Sequence, residues 1–221
     1  MKMTMKARLS RSDVTAHGKP LEPSVTMPIP PASEPAVPAG DELTTLREIH
    51  SSLVGRTRMR AEIFQGRLIV SPLGSPEHQD AVTILSVALV PHAREKGWKT
   101  YAGLDVCTDD TRECYAPDLV IAPHDAPRWG RRELFVSGLV MVGEVVSPSS
   151  VDNDREHKPE VYATGGVPIY LLVDPIDDPP SVTVFSEPAD GTYTTFTTVT
   201  MGKEIHIPEP IDVTLDTAIF L

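Results

Sequence analysis

The tightest constraint on this chain is a carboxylate set inside an apolar strand. The stretch Leu139 to Tyr162 reads LVMVGEVVSPSSVDNDREHKPEVY. Its first part is rich in β-branched residues and closes at Ser147-Pro148, the pattern of a strand buried on both faces. Glu144 interrupts that run. An ionised carboxylate in such a strand costs several kcal/mol of desolvation unless a cation, a donor or water offsets it. Something positive should therefore face Glu144. The polar segment from Asp152 to Glu160 reads as the start of a helix and carries Lys158, so an acid and an amine lie on consecutive elements.

A chain of 221 residues suggests one domain, or one domain and a tail. Residues 1–40 hold seven of the 22 prolines and only scattered apolar side chains, which cannot form a core; they read as a disordered, Pro-rich leader. The folded domain is expected over 41–221. No apolar run is long enough for a signal peptide or a membrane span, which points to a cytoplasmic protein. The leader takes five of the 20 basic and three of the 31 acidic residues, leaving 15 against 28 and a net charge of −13 in the domain. Such a balance disfavours non-specific nucleic-acid binding, whose affinity comes mainly from phosphate neutralisation. A bound divalent ion or the local basic patch Arg128, Arg131, Arg132 can still make a positive site. Cys107 and Cys114 flank an acidic turn at Asp110-Thr111, which would place them opposite each other as reduced, half-buried thiols. Two cysteines without a CxxC argue against structural zinc.

Taken in order, Leu43, Leu46, Ile49 and Leu53 have helical spacing and end at Gly55. Arg58–Phe64 and Arg67–Val70 alternate around Gln65-Gly66 as a hairpin. Ser75 and Pro76 open the longest helix, with Ala81, Ile84, Leu85, Ala88 and Leu89 as its buried stripe and Pro91 set to kink or shorten its end. Trp98–Val106 and Tyr115–Ala122 read as strands, 123–133 as a loop, 155–165 as a helix and Pro168–Val173 as a buried strand. Val182–Phe185 and Tyr193–Val199 read as an outlying, half-exposed antiparallel pair that could serve a homodimer contact. A short helical turn is expected within 212–221. The order predicts an α/β domain: a mixed β-sheet flanked by helices, with extra antiparallel strands near the C-terminus.

Glu62, Asp118 and Glu144 each interrupt a predicted strand. Two carboxylates at ~4 Å repel by about 4 kcal/mol at an effective dielectric of about 20. Without a metal, one of them takes up a proton. A hard divalent cation such as Mg²⁺ removes the conflict, because it favours carboxylate oxygens and keeps water positions open. Taken singly, Asp118 after Pro117 fits a turn acid, Glu62 a sheet-edge residue and Lys158 a solvated helix charge.

In order, AEIFQGRL (61–68), SPEH (75–78), PDLV (117–120), EVVSPS (144–149), Asp154 with Lys158 and Tyr162, and GVPIYLLVDP (166–175) resemble the Uma-two family. Its members are classed as restriction endonucleases of the PD-(D/E)xK restriction-endonuclease-like superfamily. The resemblance implies that Asp118 and Glu144 hold Mg²⁺, with Mn²⁺ as a substitute, helped by the Val145 carbonyl. It makes Glu62 the acid that completes the catalytic set. The lysine usual two residues after Glu144 is replaced by Val146, so the resemblance implies that Lys158 takes its role from the next helix. Pro159 disfavours helical dihedrals at Lys158 and would place it at the helix mouth. His78, Asp154 and Tyr162 match supporting positions. The implied reaction is metal-assisted hydrolysis of a phosphodiester, with DNA as the expected substrate. The alternative is a catalytically silent or regulatory member that keeps the fold and binds a partner protein or nucleic acid; Val146 and the charge of −13 favour that reading.

Overall fold

The computed structural model describes residues 40–56, 60–71 and 74–221, and the side chains of 45–53 in the first of these. The leader, save Gly40, and the start of the predicted first strand at Arg58 lie outside the described residues. The chain opens with α1 (Gly40–Arg56) and the hairpin of β1 (Arg60–Phe64) and β2 (Arg67–Ser71). Gln65 and Gly66 both take positive φ (48° and 67°), the two-residue turn whose twist matches antiparallel strands. Next comes α2 (Pro76–Glu95), capped by the Ser75 side chain accepting from the His78 N–H at 3.3 Å.

The predicted strand Trp98–Val106 is in fact two, β3 (Trp98–Ala102) and β4 (Val106–Cys107), and Tyr115–Ala122 likewise divides into β5 (Cys114–Tyr115) and β6 (Leu119–Pro123). The two halves of each lie in different sheets: β4 and β5 in one, β3 and β6 in the other. The expected loop at 123–133 carries β7 (Arg128–Trp129), which pairs with β8 (Glu133–Phe135). Then follow β9 (Met141–Val145), a π-helical turn at Asn153–His157 running into α3 (Lys158–Thr164), and β10 (Ile169–Asp174). The chain finishes with β11 (Ser181–Ala189), β12 (Thr192–Thr200), β13 (Glu204–Ile207), β14 (Val213–Asp216) and the short helical turn expected near the end.

The strands form two six-stranded sheets and a small pair, where one main sheet was expected. The first sheet runs β2-β1-β5-β4-β8-β7, the second β12-β11-β10-β9-β6-β3, and β13-β14 stand alone. The antiparallel pair expected to be outlying is an extension of the second sheet, because β11 pairs along its length with β10. Val182 and Val184 are core residues, whereas Phe196 on the edge strand β12 is 68% exposed. In α2 the buried line is Val82, Leu85, Leu89 and Ala93, one position off the predicted stripe at its start. That helix also continues through Pro91 to Glu95. The carbonyl that loses its donor belongs to Val87 on the exposed face, where water can serve it. In α1 the expectation fails in a telling way. Ile49 is 44% exposed, whereas Arg47 and His50 are buried.

The α2 line packs with Leu119, Ile121, Met141, Val145 and Leu171 on one face of the second sheet. Val120, Ala122, Val142, Val146, Tyr162 and Tyr170 fill the other side, against Val106, Tyr115 and Leu134 of the first sheet. Strand periodicity then puts Asp118 with Val120, and Glu144 with Val142 and Val146, on this second face. No helix among the described residues is long and apolar enough to cross a membrane.

Candidate active site

Asp118 sits where the chain leaves the first sheet at Tyr115 and enters the second at Leu119. Pro117 has no N–H, so neither ladder can continue through this seam. Side chains take over the bonding. The Asp118 N–H donates to Glu144 Oε2 at 3.3 Å, and the Val145 N–H donates to Asp118 Oδ2 at 2.9 Å. The Ala116 N–H donates to Glu62 Oε1 at 2.9 Å. The same three acids that interrupt strands in sequence thus close the seam between sheets.

Two cations enter this ring of oxygens. Lys158 Nζ donates to Glu144 Oε1 at 2.8 Å, lies 2.8 Å from Asp154 Oδ1 and 3.8 Å from Glu62 Oε1. Its side chain is only 5% exposed. Lys158 is the first residue of α3, but the π turn runs straight into it, so it has helical dihedrals within a continuous helical stretch. A regular helix would drive the Pro159 ring into the carbonyl four residues back, and the π turn ahead of it widens the ladder at that point. The second cation, Arg60, was not among the expected residues. Its Nη1 donates to Asp118 Oδ1 at 2.8 Å, and its Nη2 lies 3.5 Å from Glu144 Oε2 and 3.7 Å from Glu62 Oε1. A signal for it existed. Arg60 precedes Glu62 by two residues, and strand period 2 puts both on one face.

The remaining candidates have graded roles. His78 Nε2 lies 3.2 Å from Asp118 Oδ2, so the residue that begins α2 also reaches the site. Asp154 is buried beside Lys158. Tyr162 is buried one helical turn past Lys158, stacked on Tyr170 with ring centroids 5.6 Å apart, and its hydroxyl has no hydrogen-bond partner. It packs beneath the site without touching its oxygens. Val145 contributes its N–H to Asp118.

Charge does not balance here. Glu62, Asp118, Glu144 and Asp154 face Arg60 and Lys158, with His78 as the third basic group. The consequences follow in protonation. Burial pushes the Glu144 carboxyl well above its usual range, Asp118 and Asp154 add to the rise, and the opposing charges of Lys158 and Arg60 do not cancel it. For Asp118, burial is outweighed by the His78 hydrogen bond and the Arg60 charge, which hold it low. Glu62 is also held low: burial opposes, but Lys158 and Arg60 prevail. Lys158 loses to burial less than it gains from Glu144, Glu62 and Asp154, so its ammonium persists beyond the ordinary lysine range. Hydrogen bonding to Asp118 raises His78.

A second buried polar cluster lies under α1. Arg47 Nη1 donates to both oxygens of Glu133 (2.9 and 2.6 Å), Nε donates to the Arg112 carbonyl at 2.7 Å, and Nη2 meets Cys107 Sγ at 3.0 Å. The guanidinium also stacks 4.7 Å over the Trp129 ring. Cys107 pairs across from Cys114 as the turn at Asp110 implied, and both thiols are free and fully buried. His50, Cys114 and Glu133 bring one potential ligand atom each within 4.8 Å of one another. Each of the three groups already has a partner or a reason to keep its proton. His50 Nε2 lies 2.9 Å from the Ala61 carbonyl, Glu133 holds Arg47, and burial drives Cys114 far above the ordinary thiol range. This set is structural.

The fold and its cluster define a class: a mixed α/β fold of the nuclease type, with acids from two strands and the seam between the sheets beside a buried lysine. A solved structure supports the fold, that of a putative nuclease belonging to DUF820 from Anabaena variabilis. It superposes with a TM-score of 0.58 at 17% identity and covers 79% of this chain and 96% of that one. The Uma2 family, described as "Putative restriction endonuclease", matches residues 47–218, and the chain belongs to it. No curated protein matches the chain.

Proposed function

We propose that this protein is a divalent-metal-dependent endonuclease hydrolysing phosphodiester bonds of DNA. One observation carries the reading: Glu62 of β1, Asp118 at the seam before β6, Glu144 of β9 and Lys158 from the following helix meet at one buried point. The donor set fits Mg²⁺ or Mn²⁺. It is made of carboxylate oxygens with excess negative charge, and two buried nitrogens of the cation now among them, Arg60 Nε and Nη2, find no hydrogen-bond partner. Asp118 and Glu144 would hold the ion, with the Val145 carbonyl beside them. The ion would polarise a phosphoryl oxygen and lower the pKa of a bound water.

Lys158 keeps its proton, so it serves as a fixed charge that positions the attacking water and offsets transition-state charge. Asp154 and Glu62 fix the ammonium in place. His78 orients Asp118. For the substrate, the hairpin β7–β8 offers exposed Arg128, Arg131 and Arg132, none of which makes an ion pair among the described residues. Arg131 and Arg132, with Trp129 and His50, border an open cleft of about 400 Å³. Phosphate contacts there would counter the acidic domain.

The test is nicking of supercoiled plasmid in Mg²⁺ or Mn²⁺ by the parent and by Glu144→Ala. Loss of activity with a retained melting transition supports the site; equal activity in both overturns it. A silent member is the second reading, favoured by the guanidinium lying among the metal-binding oxygens. It predicts no Mn²⁺ binding by calorimetry.

A further inference from the structure

We infer that Arg60 and the metal ion exchange places during the reaction: the ion takes the carboxylates that Arg60 now holds, and the released guanidinium takes the scissile phosphate. The inference rests on the metal-nuclease reading and adds a residue that reading does not use.

Three observations support the exchange. First, Arg60 contacts both acids that would hold the ion and Glu62 beside them, with nitrogens 2.8, 3.5 and 3.7 Å from Asp118, Glu144 and Glu62. An ion bridging Asp118 and Glu144 would displace it. Second, the two cations are held unequally. Lys158 has two acid oxygens at 2.8 Å and is 5% exposed, whereas Arg60 has one such contact and is 25% exposed, so its stem already reaches the surface. Arg60 is the cation free to leave. Third, its buried Nε and Nη2 donate to nothing. A planar guanidinium fork with spare donors matches a phosphodiester, which offers paired anionic oxygens in the same plane. Without metal, Arg60 keeps the acids from repelling each other. With metal, its charge is released next to the atoms that react.

A merely structural arginine and an exchanging one differ in the sign of one measurement. Removing a structural cation loosens the acid cluster and weakens metal binding and turnover together. Removing an exchanging cation frees the ligands, so metal binding tightens while turnover falls. The experiment titrates Mn²⁺ by calorimetry into the parent, Arg60→Gln and Arg60→Lys, then follows plasmid nicking at saturating Mn²⁺. Arg60→Gln is expected to bind Mn²⁺ about tenfold more tightly than the parent and to nick at least about tenfold more slowly, within the usual range of coupling between sites. Arg60→Lys keeps the charge but cannot span three carboxylates, so its Mn²⁺ affinity should fall between the two; it also decides the matter should the glutamine variant fail to fold. Unchanged or weaker Mn²⁺ binding in a folded Arg60 variant overturns the exchange while leaving the metal site standing. Absence of Mn²⁺ binding in parent and variants alike overturns both the exchange and the metal-nuclease reading.

Discussion

Two arginines invite comparison. Arg47 is buried and Arg60 half-buried, both among carboxylates, and each has a raised pKa because neighbouring acids outweigh burial. Arg47 is saturated: two oxygens of one glutamate, two carbonyls, a thiol and an indole face use its donors and its plane. Arg60 is not. Two of its nitrogens make no hydrogen bond, and the acids around it exceed the cations. A saturated charge fixes shape, because any displacement breaks matched bonds. An unsaturated, unbalanced cluster stores a demand for one more cation or proton, and binding can satisfy that demand. The geometric grouping of His50, Cys114 and Glu133 near Arg47 looks metal-ready by distance alone, yet each group already has a partner or a reason to keep its proton.

The sharpest way to break this contrast is to remove Lys158. Lys158→Ala should lower the nicking rate by roughly a hundred- to a thousandfold at saturating Mn²⁺, as measured by plasmid relaxation. A residual rate near that of the parent would place the catalytic charge elsewhere. Next in size, Arg47→Ala leaves Glu133 buried without its partner and should cost about 3–5 kcal/mol in denaturant unfolding. Mn²⁺ should not restore that loss; restoration would mean that the Arg47 cluster, too, is a metal site.

A smaller effect separates the clusters by pH. Glu144 has a raised pKa in the folded protein, so the stability it contributes is complete below its unfolded pKa and is lost as pH rises through the folded value. Glu144→Gln, melted in EDTA, should therefore unfold at a higher temperature than the parent at pH 8, with the gap closing towards pH 4. Glu62 and Asp118 run the other way: their stabilisation is lost as pH falls through their lowered values, in both proteins alike. A gap that widens on acidification would reverse the assignment for Glu144. Smallest of all, Arg131→Gln with Arg132→Gln should reduce the slope of log affinity against log salt by about 2 for a DNA duplex bound in EDTA. An unchanged slope would remove the hairpin from the interface.

Much of the site was readable from single residues. Glu144 stands out because a charge within β-branched residues demands compensation, and Lys158 because it opens the next helix. Asp118 follows from Pro117 heading an apolar run. Arg60 escaped because an arginine at a strand start is usually solvated; only its parity with Glu62 marks it. The two-sheet arrangement escaped for a different reason. Trp98–Val106 carries apolar residues on both sides of the change of sheet at 103–105, which is marked only by Gly103, with φ 61°, and by Asp105. In α1, apolar spacing misled because the inward face is occupied by Arg47 and His50, whose burial depends on partners distant in sequence. Spacing reports which side chains share a face; partners decide which face turns inward.

The break at Ala116–Asp118 has a mechanical consequence. Glu62 belongs to one sheet and Glu144 to the other, so the gap between them is a joint that neither framework sets alone. The spacing of these carboxylates is therefore a property of how the two sheets dock, and a substitution that shifts that docking moves the acids even where it touches none of them.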